Sequence, residues 1–247
     1  MTGVRCLPTC AMVLAAGRGK RMSPLSDTRP KPLLKICGKP LIDHVLDQLA
    51  DIGVRDAVVN LHYLGDQIEA HLKTRNAPRV SFSREHELLE TGGGVRNALA
   101  KLGKDPFFVV NADTIWLDGR TPALRRLADG WNGKQMDALL LLYPIVSASR
   151  FEGRGDFLLD QAGRVRRPHE REVAPFVFTG VQILDPQLLV DAPEGCFSLN
   201  LLYDLAAERS RLFGIRHDGE WFHVGTPRAL QETNEAIQQL SGRGAET

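Results

Sequence analysis

Seven short apolar runs constrain this chain more than any other feature: Ala11 to Ala15, Ala57 to Asn60, Val80 to Ser83, Phe107 to Val110, Ala138 to Tyr143, Phe176 to Leu184 and Leu212 to His217. Runs this short and this apolar read as strands covered on both faces. Between them, Leu41 to Asp51, Asp66 to Lys73 and Gly94 to Leu102 carry apolar residues at helical spacing. The alternation predicts an α/β fold, a mostly parallel mixed sheet with helices on both faces. The stretch from about residue 147 to 173 breaks the rhythm. It is rich in glycine and arginine, with strand-like pieces at Phe157 to Leu159 and Arg164 to Arg166, and predicts a small inserted β-ribbon or lid. Thr226 to Leu240 predicts a closing helix, and residues 241–247 a polar tail that frays. There is no internal repeat and no hexapeptide array.

The first apolar run feeds a glycine turn. Ala11 to Ala16 leads into Gly17-Arg18-Gly19-Lys20-Arg21-Met22, and Lys31-Pro32-Leu33 follows nine residues later. Without a β-carbon at Gly17 and Gly19, the backbone from Leu14 through Ala15 and Ala16 can run close to a ligand. Amides in such a turn form a nest for anions, and Arg21 and Lys31 can neutralise polyphosphate. The pattern reads as a nucleoside triphosphate site. Neither Gly-Lys-Ser/Thr nor a third fingerprint glycine is present, so Gly-x-Gly taken alone also fits a flexible turn with solvated cations.

Composition narrows the partners. Lysines and arginines number 31 against 30 acidic residues, a formal charge of +1 over 247 residues. Nothing in that balance attracts nucleic acid or a membrane, so any anion site is local. Small-molecule substrates are the expected partners, for a monomer or small homo-oligomer. Cys6, Cys10, Cys37 and Cys196 make no Cys-x-x-Cys pair, which argues against zinc or a disulfide framework and for a reducing, cytoplasmic setting. The run after Arg5 is too short for a secretory signal and reads as the first strand, and no segment approaches a membrane span of about 20 apolar residues.

Two further motifs sit where strands end. Asn111-Ala112-Asp113 closes the run from Pro106 to Val110, and ligands gather at the carboxyl ends of parallel strands. A lone carboxylate such as Asp113 suits magnesium, which keeps waters and substrate phosphates as its other ligands; a turn or helix cap is the alternative. Glu85-His86-Glu87-Leu88-Leu89-Glu90-Thr91-Gly92-Gly93-Gly94 follows the run at Val80. Its glycines would admit a flat ring, with Glu85, Thr91 and the Gly92 amide available to read a base edge. Tight helix packing would need glycines too.

The uninterrupted string from Leu14 to Leu34, Leu-Ala-Ala-Gly-Arg-Gly-Lys-Arg-Met-x-Pro-Leu followed by Lys-Pro-Leu-Leu, resembles the signature of the sugar-1-phosphate nucleotidylyltransferases. Leu-Glu-Thr-Gly-Gly-Gly at Leu89 to Gly94, Gly-Arg-Gly-Asp-Phe at Gly153 to Phe157, Phe-Thr-Gly-Val at Phe178 to Val181 and Trp-Phe-His-Val-Gly-Thr at Trp221 to Thr226 are similar to one branch in particular, the N-acetylmuramate-1-phosphate uridylyltransferases of peptidoglycan recycling. The resemblance implies one Rossmann-like domain. Residues 11–115 would hold the nucleotide, with Asn111 among its contacts, and residues 116–240 the sugar phosphate. It implies transfer of a uridylyl group from UTP to N-acetylmuramate-1-phosphate, with Arg21, Lys31 and Asp113 catalytic. Arg154, Asp156, Thr179 and Gly180 would meet the sugar phosphate, although Arg-Gly-Asp is also ordinary turn chemistry.

Three departures bear on that reading. Ala112 stands where relatives have glycine. Arg166-Arg167-Pro168 stands where many relatives have Glu-Lys-Pro, which removes the acid expected to hold sugar hydroxyls. His223 replaces the aspartate that, with the counterpart of Asp113, completes the family's Mg2+ site. Imidazole offers one nitrogen and no negative charge. His223 could bind Mn2+ or Co2+ directly, hold Mg2+ through water, or pack beneath the site. Alternatives for the whole chain are a mannose-1-phosphate guanylyltransferase, a glucose-1-phosphate nucleotidylyltransferase, or a nucleotide-sugar sensor without turnover.

Overall fold

The structure, a computed structural model, describes residues 7–148 and 153–243. The first half contains β1 (Cys10–Leu14), β2 (Lys35–Ile36), β3 (Lys39–Pro40), α1 (Leu41–Asp51), β4 (Asp56–Leu61), α2 (Gly65–Leu72), β5 (Arg79–Arg84), α3 (Glu90–Leu102), β6 (Phe107–Asn111) and β7 (Thr114–Leu117). The second contains α4 (Ala123–Gly130), β8 (Ala138–Pro144), β9 (Leu158–Leu159), β10 (Val165–Arg166), β11 (Phe176–Leu184), α5 (Leu199–Glu208), β12 (Leu212–Arg216), β13 (Glu220–His223) and α6 (Pro227–Arg243).

Seven strands form one sheet in the order β12-β8-β11-β6-β1-β4-β5. Every pairing is parallel except those of β11, which runs antiparallel to β6 and β8. The sheet is thus mixed and mostly parallel, as the apolar runs required. Alternate side chains divide between two cores, as a period of two demands. Ala11 and Val13 of β1, with Phe108 and Val110 of β6, meet Val45 and Leu49 of α1, Ile68 of α2 and Leu124 of α4. Met12, Phe107 and Val109 face the other way, onto Val95 and Ala98 of α3 and Leu202 and Tyr203 of α5. At about 25 cal/mol per Å2 of apolar surface, these two layers are the main stabilising term.

The inserted segment is a hairpin of β9 and β10, joined to the sheet by bridges from Phe157 to Phe176 and from Arg164 to Phe213; residues 149–152 of it lie outside the described residues. The closing helix extends to Arg243, into the expected tail, and residues 244–247 lie outside the described residues. Among the described residues no helix is long and apolar enough to cross a membrane.

Two helices and two short strand pairs, β2 with β3 and β7 with β13, were not among the expected elements. α5 has a legible signal: Leu199, Leu202, Tyr203 and Ala206 are buried at helical spacing, and the Ser198 side chain caps the helix by accepting from the Asn200 N–H. α4 is eight residues long, with Ala123, Leu124, Leu127 and Ala128 buried in an otherwise polar stretch. β7 and β13 are four residues each and pair antiparallel, His223 opposite Thr114. Strands that short carry little pattern of their own.

Near the β13 turn a buried histidine couples the fold to pH. His217 is 1% exposed, and its Nε2 lies 3.1 Å from the carbonyls of both Leu117 and Glu220. Both partners are acceptors, so Nε2 carries the proton and donates, while buried Nδ1 has no hydrogen-bond partner. Burial lowers the pKa of His217; the two carbonyls, then Asp118 and Asp218, oppose the shift. Below the unfolded value of about 6.5, the unfolded chain takes up a proton that the folded chain refuses, so stability falls as pH falls. Thermal unfolding should show Tm dropping from pH 7.5 to 5.5. His217→Gln, which keeps a donor but does not titrate, should lower Tm at pH 7.5 and flatten that slope; an equal slope would exclude His217 as its source.

Candidate active site

The site is built where β1 and β6 end side by side. Their register pairs Leu14 with Asn111, and the Ala112 N–H donates to the Leu14 carbonyl at 3.0 Å. The glycine loop and Asp113 therefore leave the sheet from neighbouring positions. A cleft of about 310 Å3 opens there, lined by Leu14, Ala15, Gly17, Gly19, Arg21, Lys31, Asp113 and Gly225 among others. Ala112 is buried without a left-handed backbone, so alanine in place of glycine needs no adjustment.

The glycine loop is anchored at its far end. Met22, fully buried, packs with Leu34, Ile36, Leu41 and Val224. The Met22 N–H and the Ser26 hydroxyl both donate to the Gly19 carbonyl, at 2.8 and 2.9 Å. Gly19 has φ 61° and the side chain of Lys31 against it, reasons internal to the protein. Gly17 has none: a β-carbon there would meet no protein atom within 4 Å, which leaves its backbone open to the cleft.

Lys31 crosses the cleft floor to Asp113, with Nζ 2.5 Å from Oδ2. The lysine side chain is 12% exposed and the aspartate 36%, so the carboxylate is the more accessible of the pair. β7 and β13 bring His223 to the same place, because Asp113 directly precedes Thr114, the partner of His223. His223 is exposed at the rim, yet the protein packed beneath it lowers its pKa, with Lys31 and Arg21 adding to the shift and Asp113 and Asp156 opposing it. The shift favours the neutral imidazole, the form in which a ring nitrogen can act as a ligand. Asp113 offers the hard oxygen that a magnesium-like cation takes, whereas the His223 nitrogen suits a softer divalent metal. No group of three His, Cys, Asp or Glu side chains among the described residues could hold a metal.

The segment expected to read the base is turned inward. The Gly92 and Gly93 amides donate to the Phe197 carbonyl at 2.9 and 3.0 Å, and the Thr91 hydroxyl accepts from the Leu199 N–H at 2.9 Å. A β-carbon at Gly92 would sit 2.3 Å from the Phe197 ring, and one at Gly93 2.2 Å from the Gly195 carbonyl. These contacts explain why α3 begins at Glu90, four residues before the expected start. Glu85 is 6% exposed, and its two oxygens accept from Asn60 Nδ2 and the Leu89 N–H. Asn60 was absent from the expected site; its only signal was a polar residue ending the apolar run at Ala57.

On the opposite side, β11 bulges between Phe178 and Gln182. Thr179 is buried there, its hydroxyl donating to the Leu141 carbonyl at 2.9 Å. Its own carbonyl accepts from Thr114 Oγ1 at 2.6 Å and Trp221 Nε1 at 3.1 Å, which ties the bulge to β7 and β13. Gly180 lies against Asn111, whose Nδ2 would be 2.7 Å from a β-carbon. Asp156 Oδ2 accepts from the Phe178 N–H at 2.8 Å, holding the Arg154 loop on β11, and Arg154 itself is exposed.

Residues 11–160 match the MobA-like NTP transferase domain. The chain belongs to the MobA-like NTP transferase family. It is 44% identical over 227 residues to N-acetylmuramate alpha-1-phosphate uridylyltransferase of Caulobacter vibrioides, covering 90% of this chain and 94% of that protein. The protein of the same name from Neisseria meningitidis serogroup B is 38% identical over 94% of this chain and 98% of its own length. A solved structure of UDP-glucose pyrophosphorylase complexed with UDP-glucose superposes with a TM-score of 0.74 at 20% identity, over 94% of this chain and 98% of that one. That likeness shows the common fold.

In this NTP transferase, the arginines standing for Glu-Lys-Pro have partners of their own. Arg166 makes a two-pronged contact with Glu172, at 2.5 and 2.9 Å, and Arg167 pairs with Asp204 while its guanidinium lies 5.2 Å from the Phe157 ring centre. His223 also has a neighbour that the sequence did not advertise. A β-carbon on Gly225 would come 2.5 Å from His223 Nε2, so alanine there must displace the ring. Gly225→Ala should lower kcat/KM by about a hundredfold through misplacement, with little change in Tm. The double variant with His223→Ala should fall no further than His223→Ala alone. Unchanged kcat/KM in Gly225→Ala would show that the ring's position is immaterial.

Proposed function

We propose that this enzyme transfers a uridylyl group from UTP to N-acetylmuramate-1-phosphate, producing UDP-N-acetylmuramate and pyrophosphate. The observation that carries this reading is the convergence of the open Gly17 loop, Arg21, Lys31 and Asp113 on one cleft. The base and sugar named here come from the two uridylyltransferase relatives, which align over nearly the whole chain. In the reaction, an oxygen of the sugar phosphate attacks the α-phosphorus of UTP. The bond from that phosphorus to the bridging oxygen breaks, and the electron pair leaves with pyrophosphate. No protein nucleophile is needed, so the protein contributes positioning and electrostatics.

Each residue has a role that follows from its place. Gly17 lets the backbone meet the triphosphate closely, and Arg21, exposed beside it, stabilises the β- and γ-phosphates and the departing pyrophosphate. Lys31 is held by Asp113 before substrate arrives. An entering α-phosphate offers it a second anion, and Lys31 then orients the α-phosphate and the attacking oxygen. Asp113, with His223, would hold Mg2+, or Mn2+ or Co2+, and such a cation when bound supplies positive charge at the α-phosphate. Residues 116–240 take the sugar phosphate, with Arg154 and Asp156 the candidates for its phosphate and hydroxyl contacts. Glu85, Thr91 and Gly92 support the base through the loops they hold.

Pyrophosphate release should be strong with UTP and N-acetylmuramate-1-phosphate, and weak with GTP and mannose-1-phosphate or with UTP and glucose-1-phosphate. Arg21→Ala and Lys31→Ala should each reduce kcat/KM by about a hundredfold to a thousandfold. Losses under about tenfold would contradict their roles. Nucleotide-sugar binding with no release from any pair, in magnesium or manganese, would replace the enzyme with a sensor.

A further inference from the structure

A buried polar relay lies directly beneath the cleft and joins the two loops assigned to the nucleotide. Pairing of β1 with β4 ends at Val13 and Val59, so the Ala15 N–H, two residues on, has no partner in that ladder. The side chain of Asn60, 2% exposed, takes it: Oδ1 accepts from the Ala15 N–H at 2.7 Å. Asn60 Nδ2 points the other way and donates to Glu85 Oε1, also at 2.7 Å. Glu85 Oε2 accepts from the Leu89 N–H at 3.1 Å. The second turn of α3 presses on the pair, since a β-carbon on Gly94 would lie 2.8 Å from both Asn60 Nδ2 and Glu85 Oε1.

The chemistry of this relay is directional. One end needs an acceptor for a backbone amide and the other a donor for a buried carboxylate, and asparagine supplies both within one short side chain. Aspartate accepts but cannot donate, and leucine does neither. A hydrogen bond to a buried carboxylate is worth more than one between neutral groups, and losing it leaves a charge short of donors.

We propose that Asn60 is a positioning residue of the nucleotide site. Through the Ala15 amide and Glu85 it sets the spacing between the cleft-lining end of β1 and the loop that opens α3, and so the fit of the nucleobase between them. The proposal rests on the reading that the cleft takes UTP. It also explains why Glu85, with both oxygens engaged inside the protein, matters to the base without touching it.

The test exchanges the direction of the relay. Asn60→Asp removes the donor and sets two carboxylates face to face. Glu85→Gln alone leaves a side-chain oxygen that can serve Asn60 Nδ2 or the Leu89 N–H but not both. Asn60→Asp with Glu85→Gln restores every contact with only the bond between the two side chains reversed: the aspartate accepts from Ala15 and from the new amide, and the amide oxygen accepts from Leu89. UTP affinity by calorimetry without sugar phosphate, kcat and KM for UTP, and Tm are measured for all four proteins. Asn60→Asp should weaken UTP binding and raise KM by about tenfold or more with kcat within about twofold, and the double variant should recover most of that loss. Unchanged affinity in Asn60→Asp, or a double variant no tighter than Asn60→Asp, overturns the positioning role while wild-type turnover leaves the enzyme assignment standing. A fall in Tm without a change in KM overturns it too. If Asn60→Asp does not fold, a double variant no tighter than Glu85→Gln decides against the proposal. Wild-type protein that binds no UTP defeats the enzyme reading and this inference together.

Discussion

The parallel pairing of β1 with β6 is the contact on which the remainder of the site depends. Its register sets Leu14 beside Asn111, and the hydrogen bond from the Ala112 N–H to the Leu14 carbonyl carries the alignment past the last paired residues. Glycine loop and acidic motif thus emerge together from the carboxyl ends of two central strands. Both strands are buried on both faces, by α1, α2 and α4 on one side and α3 and α5 on the other. A slip of one residue would exchange every side chain between the two cores, so packing enforces the register.

The cleft carries an excess of positive charge. Lys20, Arg21 and Lys31 line it against one carboxylate, Asp113, which is already paired with Lys31. That arrangement suits an anionic substrate that must be gripped and released: the cations are present, and the partner that occupies one of them can be exchanged for a phosphate. His223 belongs to the same group, and its surroundings favour the neutral ring. The β7 and β13 pair holds it there, braced against the β11 bulge by Trp221 and Thr114 at the Thr179 carbonyl.

Much of this was legible in the chain itself. The main strands, α1, α2 and the core of α3 announce themselves by apolar runs and helical spacing, since burial on two faces or one leaves that pattern. The convergence of the Gly17 loop, Lys31 and Asp113 was legible too, because each lies at a strand end or close after one. Less legible were residues whose role depends on something distant in sequence. Thr91, Gly92 and Gly93 look like a ligand loop, yet their glycines admit the ring of Phe197 and the carbonyl of Gly195. A glycine records that something comes close and not what it is. Asn60 reads as the polar end of a strand until Ala15, 45 residues before it, and Glu85, 25 residues after it, are seen to meet there.

The sequence by itself determined the sheet and its two-sided burial, the glycine turn after β1 and the family, because these rest on local periodicity and on contiguous strings of residues. Tertiary structure alone decided which groups remain open to a ligand and which are taken by the protein. Gly17 is left open, whereas Glu85 and the Gly92 amide are held within. A hydrogen-bonding group chooses its partner by distance and direction in space, and only the folded chain sets those for residues far apart along it.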